Sequence, residues 1–293
     1  MAAETLAPAK INLFLHVGAP ASDGYHPLCS LMVFADLGDR VAVTDAEGAG
    51  FALRGPYAAA LAGEGDNLVL RAARVLLARA GGLHVLPGLM LDKRLPVAAG
   101  LGGGSSDAGA VLRLLREAWA LQMPDAELEA VAASLGADGA ACLWGQPVLA
   151  EGRGERLSPS PGLPGIDAVL VNPGVAVSTP AVYGALDASG LFSNVTAPAM
   201  PDAFESVEEL AGWLRTTRND LEPPALALAP EIGDVLATLA DEPETLIARM
   251  SGSGATCFAL CAGDYEAETL AERIEAMRPD WWVERCRLGG PWG

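Results

Sequence analysis

Along residues 11–17 the side chains alternate between two faces, with Ile11, Leu13, Leu15 and Val17 on one and Asn12, Phe14 and His16 on the other. A period of two predicts a half-buried strand. Ser22-Asp23-Gly24 marks a turn, and residues 28–34 and 40–44 read as two further short strands. Asp66 stands where it can cap a helix over 68–80, which Gly81-Gly82 ends. Residues 83–92 read as a strand running into Lys93-Arg94-Leu95-Pro96 and a glycine loop. Beyond the loop Val111, Leu114, Leu115 and Ala118 recur at helical spacing, and a second helix is predicted over 125–135, before Gly136.

The second half predicts a strand at 168–171, helices near 207–216 and 225–239, and a strand ending at Met250. A strand at 256–261, a helix over 265–277 and a last strand at 281–287 follow. Strands separated by helices favour a two-layer α+β arrangement. The stretch EGRGERLSPSPGLPGI, residues 151–166, is rich in Gly, Pro and Ser and reads as a boundary, dividing the chain into domains of 1–158 and 159–293. A chain of 293 residues has room for two domains of about 150.

Hydrophobic residues make up 51% of the chain and charged ones 19%, which places it among globular proteins and not disordered ones. With 19 Lys and Arg against 37 Asp and Glu the net charge is −18, so non-specific binding to nucleic acid or an anionic membrane is not expected. An anionic ligand is still possible, because distant exposed charges are screened beyond roughly 8 Å; a phosphate must find its own local cations. Residues 168–186 form the longest uncharged stretch, but Asn172, Pro173, Gly174 and Pro180 make it a poor membrane span. Residues 1–10 carry Glu4 early and lack a basic start and an apolar core, so no secretory leader is expected. The five cysteines are odd in number and form no C-x-x-C pair, which reads as buried thiols in a reducing cytoplasm. Three histidines without H-E-x-x-H give a zinc site little to stand on.

The strongest local signal is the run from Pro96 to Asp107, PVAAGLGGGSSD, followed at once by an amphipathic helix. Glycines let the main chain approach a ligand, successive N–H groups can form an anion nest, and a helix start adds about half a positive charge. The run is neither a Walker A sequence nor a Rossmann fingerprint. Alone, a flexible turn capped by Ser105, Ser106 or Asp107 explains it equally well. Lysine usage shifts that balance. The chain has 17 Arg and only two Lys, Lys10 beside the first strand and Lys93 just before the loop; a compact ammonium is what a phosphate clamp requires. A second turn, Arg249 to Thr256 (RMSGSGAT), lies between apolar strands. A hairpin alone accounts for it, but two such loops suggest one polyanion held from two sides.

Ala7-Pro8-Ala9-Lys10-Ile11-Asn12-Leu13, the loop PVAAGLGGGSSDAG and the late MSGSGAT turn resemble, in order and separation, the three motifs of the GHMP small-molecule kinases. Asp23-Gly24-Tyr25-His26, Asp66-Asn67-Leu68, Gly136-Ala137-Asp138, Val171-Asn172-Pro173-Gly174, Ser178-Thr179-Pro180 with Tyr183, and Asn219-Asp220-Leu221-Glu222 resemble the branch of the superfamily that serves the non-mevalonate route to isoprenoids. The resemblance spans nearly the whole chain. It implies an α+β, two-domain GHMP kinase fold, with an N-terminal domain like ribosomal protein S5 domain 2, a C-terminal ferredoxin-like domain, and the active site in the cleft between them. The implied reaction transfers the ATP γ-phosphoryl group to the 2-hydroxyl of 4-diphosphocytidyl-2-C-methyl-D-erythritol. ATP and Mg²⁺ are the implied cosubstrate and metal, with no nucleic-acid or membrane partner and a cytoplasmic location.

The resemblance also assigns residues. Asp138 becomes the catalytic base, and Lys10 keeps it ionised and bears on the charge of the transferring group. Gly100, Leu101, Gly102, Gly103, Gly104, Ser105 and Ser106 become the ATP phosphate cradle, with Lys93 and Asn67 on the nucleotide. Tyr25 and Tyr183 become a sandwich for cytosine, with His26 on its polar edge, Asn12 on the erythritol part, and Gly252, Ser253 and Gly254 on the substrate side. The Ser105-Ser106 hydroxyls are candidate metal ligands. Two departures stand out: Gly139-Ala140 follows Asp138 where Val-Pro is usual, which loosens the backbone there, and Asn172 stands where a lysine is common, which removes a diphosphate contact. Two other readings remain, another kinase of the superfamily acting on homoserine, mevalonate or a sugar, and a non-catalytic nucleotide-binding module.

Overall fold

The computed structural model describes residues 3–47, 50–63 and 67–292. In chain order the elements are β1 (Ala3–Val17), β2 (Leu28–Glu47), β3 (Phe51–Arg54), α1 (Leu68–Arg79), β4 (Pro87–Asp92), α2 (Gly103–Ala118), α3 (Asp125–Ala133), α4 (Gly139–Trp144), β5 (Val148–Gly152) and β6 (Arg156–Pro159). They continue with β7 (Ile166–Asn172), α5 (Thr179–Ser189), α6 (Val207–Leu214), α7 (Glu222–Leu228), α8 (Glu231–Asp241), β8 (Thr245–Met250), β9 (Cys257–Cys261), α9 (Asp264–Met277) and β10 (Trp282–Gly289).

The strands join in one sheet of order β3-β4-β2-β10-β7-β9-β8, with β1 and β5 also on β2 and β6 on β5. β2 is the spine. It pairs antiparallel with β1 along most of its length and, in turn, with β5, β10 and β4. The C-terminal strands run β10-β7-β9-β8, all antiparallel, which is the 4-1-3-2 order of the ferredoxin-like plan. Val207, Leu210 and Leu214 of α6 pack with Leu170 and Phe258 on one face of this half. Ile232, Val235, Leu270 and Ile274 of α8 and α9 pack with Val169 and Ala259 on the other. In the N-terminal half α1, α2 and α3 close over Val41, Val43, Leu89 and Leu91.

Several expectations need correction. The first strand is longer than its alternation suggests and is buried on both faces from Ala7 to Val17, because the interior polar residues Lys10 and Asn12 face a cleft instead of bulk water. The two short strands at 28–34 and 40–44 are one, since residues 35–39 stay extended through a bulge, with Ala35 paired to Leu288 and Gly38 and Asp39 to Pro8 and Ala7. The helix at 225–239 is two, because Ala229 leaves the helical region (φ −141°) ahead of Pro230, which lacks the N–H a continuous helix needs. The stretch 151–166 holds the turn of a β5–β6 hairpin bound to β2. The helices α4 and α5 escape the periodicity reading. Asp66 lies outside the described residues; Asn67 caps α1, its Oδ1 accepting from the Val69 amide at 2.8 Å. The five cysteines are unpaired and buried. Among the described residues no helix is long and apolar enough to cross a membrane.

Candidate functional site

A cleft of about 890 Å³ opens where β1, the start of α2, the Asp138 turn and α5 meet. Its floor is β1. Lys10 and Asn12 share one face of the strand, and the Lys10 ammonium donates to Asn12 Oδ1 while lying 3.4 Å from Asp138 Oδ2. Lys10 is buried and the Asp138 side chain keeps 31% of its surface. Asn12 is fixed in turn, its amide donating to Ser30 Oγ at 2.7 Å and Ser30 donating to the Phe14 carbonyl. Asp138 occupies the N-cap position of α4 but makes no capping hydrogen bond, so its carboxylate remains directed at Lys10 and the cleft. The departure at Gly139 has a packing cause: a Cβ there would overlap the Ala132 carbonyl oxygen, so α3 approaches closer than a valine would permit.

The glycine loop forms the wall above. Its carbonyls are turned into the protein: Ala99 O accepts from the Thr256 amide at 3.1 Å, Gly100 O from Ser251 Oγ at 3.0 Å and Leu101 O from the Lys10 amide at 2.8 Å. The first helical residues, Gly103, Gly104 and Ser105, line the cleft, and the leading N–H groups of a helix have no partner within it. Gly102 has φ +62° and sits with its Cα against the Lys10 side chain. Gly100 (φ +75°) has no room for a side chain, because the second glycine turn presses its Ser251 carbonyl into that space. The two turns therefore interlock directly. Asn219 fixes the second turn, donating to the Met250 and Gly252 carbonyls, each at 2.8 Å, and Ser253 Oγ lies 2.8 Å from Thr179 Oγ1.

Most of the expected site residues are gathered here: Lys10, Asn12, Tyr25, His26, Asn67, Lys93, Gly100 to Ser105, Asp138, Tyr183, Gly252 and Ser253 all line the cleft. Ser106 and Gly254 do not. Ser106 is buried, turned by the helical step away from the cleft that Ser105 faces, so its hydroxyl lies in the interior. Gly254 (φ +81°) shapes the turn, packed against Met250 and Ile232.

Lys93 also departs from expectation. Its ammonium is buried and pairs with Asp107 at 3.0 Å and with Asp39, so the charge expected to grip a nucleotide is engaged by two interior carboxylates beneath Gly103. Asp39 in turn accepts from the Arg94 and Leu95 amides at 2.6 and 2.9 Å. Burial alone would lower the Lys93 ammonium, but Asp107 and Asp39 outweigh it and hold it above the ordinary lysine value. Burial pushes the Asp107 carboxyl up to about 8 against the pull of Lys93. The sequence carries no signal for Asp39, and Asp107 read only as a helix cap.

At the other end His26 is buried, its Nδ1–H donating to the Gly18 carbonyl at 2.8 Å and its Nε2 lying 3.2 Å from Asp187. Its ring lies 5.1 Å from that of Tyr183. Burial, and next the Asp138 carboxylate, push the Tyr183 phenol up to about 12. Tyr25 is 59% exposed at the cleft mouth. Asn172 does not line the cleft; its amide donates to Thr256 Oγ1 and its Oδ1 accepts from the Gly174 amide. Asp187, Ser30 and Arg153 are cleft or supporting residues that sequence reasoning missed, while Thr179, quoted in the Ser178-Thr179-Pro180 motif, had no role assigned.

With this geometry in hand, comparison with known proteins is specific. Residues 67–146 match the family model of the GHMP kinases N terminal domain and residues 199–280 that of the GHMP kinases C terminal domain. A 4-diphosphocytidyl-2-C-methyl-D-erythritol kinase of Caulobacter sp. (strain K31) is 63% identical over 99% of this chain and 100% of its own. The protein of the same name from Cereibacter sphaeroides (strain ATCC 17029 / ATH 2.4.9) is 50% identical over 98% of this chain and 99% of its own. A crystal structure of 4-(cytidine 5'-diphospho)-2C-methyl-D-erythritol kinase superposes with a TM-score of 0.77 at 37% identity, covering 99% of this chain and 100% of the other.

Proposed function

The chain belongs to the GHMP kinase family, and from that membership we propose that it transfers the γ-phosphoryl group of ATP to the 2-hydroxyl of 4-diphosphocytidyl-2-C-methyl-D-erythritol, yielding the 2-phosphate and ADP. The observation that carries this reading is the Lys10–Asp138 pair at 3.4 Å on the floor between two interlocked, donor-bearing glycine turns. Full-length relatives of 63% and 50% identity bearing that substrate in their names support the choice of acceptor.

Phosphoryl transfer asks a protein for positioning and charge stabilisation more than for covalent chemistry. Asp138 accepts the proton of the substrate hydroxyl, and Lys10, held by Asn12, faces the charge that develops beside it. Gly103, Gly104 and Ser105 offer N–H groups and a hydroxyl to the ATP phosphates at the positive end of α2. Mg²⁺ usually binds through one or two protein oxygens and the substrate's phosphates. The donor set fits that habit, with Ser105 and Asp138 in the cleft and no cage of three acidic, His or Cys groups among the described residues. Bound with ATP, Mg²⁺ supplies neutralisation of phosphate charge. Tyr25, Tyr183 and His26 receive the cytosine. A cytoplasmic location completes the reading, in keeping with five unpaired, buried thiols.

The test is ADP release by the purified chain with ATP, Mg²⁺ and the cytidylylated methylerythritol, alongside homoserine and mevalonate. Turnover with the cytidylylated acceptor alone is expected. Turnover with homoserine or mevalonate, and none with the cytidylylated acceptor, overturns the substrate assignment.

A further inference from the structure

The chain carries a net charge of −18, yet the acceptor proposed above brings a diphosphate into a cleft lined by Asp138 and Asp187. Among the described residues that line the cleft, Lys10, Lys93 and Arg153 carry fixed positive charge. Lys93 is engaged by Asp39 and Asp107. Lys10 is held between Asn12 and Asp138 where the hydroxyl reacts. Asn172 lies outside the cleft lining and donates to Thr256 in the interior. Arg153 is left.

Its placement fits the part. Arg153 sits at the tip of the β5–β6 hairpin between Gly152 (φ +73°) and Gly154 (φ +108°), and Glu155 fixes the turn by accepting from the Arg153 amide at 2.6 Å. The guanidinium lies 4.3 Å from the centre of the Tyr25 ring and pairs with Asp23. Stacking and tether hold a flexible side chain at the cytidine end of the cleft. A guanidinium has five N–H donors in a planar fork, so one carboxylate leaves donors for a second anion. Phosphate is the anion this fork matches bidentately.

We infer that Arg153 is a substrate-positioning residue that binds the diphosphate of the cytidine-containing acceptor. This rests on the substrate reading above. Charge-assisted hydrogen bonds of about 1.5–3 kcal/mol correspond to roughly 10–150-fold in affinity.

Calorimetric binding of cytidine diphosphate and of cytidine to the full chain tests it, with wild type, Arg153→Gln and Arg153→Lys. Wild type is expected to prefer the diphosphate by at least about 10-fold. Arg153→Gln should bring the two ligands within about 3-fold of each other while cytidine affinity stays within about 2-fold, and lysine should restore part of the preference. In turnover, Arg153→Gln should raise KM for the acceptor and leave KM for ATP unchanged. A preference for the diphosphate that survives in Arg153→Gln overturns the inference and leaves the substrate reading intact. An equal loss of cytidine and cytidine diphosphate binding overturns it too, since it would assign Arg153 to the base through Tyr25. If wild type binds neither ligand, the substrate reading itself fails and takes the inference with it.

Discussion

Lys10 and Asp138 face each other across 3.4 Å although 128 residues separate them in the chain. One comes from the middle of β1 and the other from the turn before α4, and α2 packs against both elements. A buried ammonium beside a partly exposed carboxylate leaves the carboxylate reachable by a substrate hydroxyl. Replacing Asp138 by Asn keeps the shape and removes the proton acceptor. Turnover should fall by at least about 10²-fold, with ATP affinity within a few-fold. Parallel steady-state kinetics and nucleotide titration would check both, and an unchanged kcat would remove Asp138 as base.

Lys93 gives a different expectation. Taking its ammonium away leaves the buried Asp39 carboxylate without its counter-charge and the Asp107 carboxyl without its partner, and breaking such a buried pair costs about 3–5 kcal/mol. For a chain of this size that is a drop in Tm of roughly 10 °C. Lys93→Ala should therefore lose stability first, a result that thermal unfolding reads directly. A variant of normal Tm with a raised KM for ATP would instead give Lys93 the nucleotide-clamping role.

These two lysines show how much of the site was legible in the sequence. Their scarcity pointed to two residues that line one cleft, but composition could not say which ammonium was already engaged: Asp39 lies 54 residues from Lys93, in a β2 segment with no motif. The glycine-rich turns themselves were legible, because positive-φ backbone and helix starts are local properties. Their contact through Gly100 and Ser251 was not, being a matter of tertiary approach. The fold divided along the same line. The C-terminal strands and α9 emerged from periodicity, whereas α5 lay hidden in an uncharged run and the β5–β6 hairpin in a Gly-Pro-Ser stretch that reads as a boundary. Arg153 was missed with it.

Gly100 tests the interlock. A Cβ at Gly100 would both strain a backbone at φ +75° and overlap the Ser251 carbonyl. Gly190 shares a positive φ of +65° but faces open space, so it isolates the backbone part, worth about 1 kcal/mol. Gly100→Ala should cost more stability than Gly190→Ala and lower kcat/KM at least about 10-fold, since a small misplacement of reacting groups is costly. Gly190→Ala should leave kcat/KM near wild type. Equal effects of the two substitutions on kcat/KM would mean that the turns need not touch for catalysis.

His16 sets the acid limit of the fold. It lies on β1 beyond Asn12, buried, with neither ring nitrogen hydrogen-bonded and its ring 4.9 Å from that of Phe14. Burial, with a further push from the Arg218 and Arg249 guanidinium groups against the pull of Asp220, lowers its pKa to about 4. The unfolded chain takes up this proton near pH 6.5, so between about 6.5 and 4 the unfolded state binds more protons than the native one. The histidine's contribution is therefore fully present above pH 6.5, drains away as the pH falls through 4, and changes no further below that. Its size is on the order of 2 kcal/mol, less than the full shift implies because Arg218 and its neighbours reach solvent. His16→Phe fills the site without a titrating nitrogen. Urea unfolding of the two proteins at pH 7, 5.5 and 4 should show wild type losing more stability than the variant across that window, while other acidic groups affect both alike. Parallel curves for the two proteins would mean that His16 is protonated in the native state as easily as in the unfolded one.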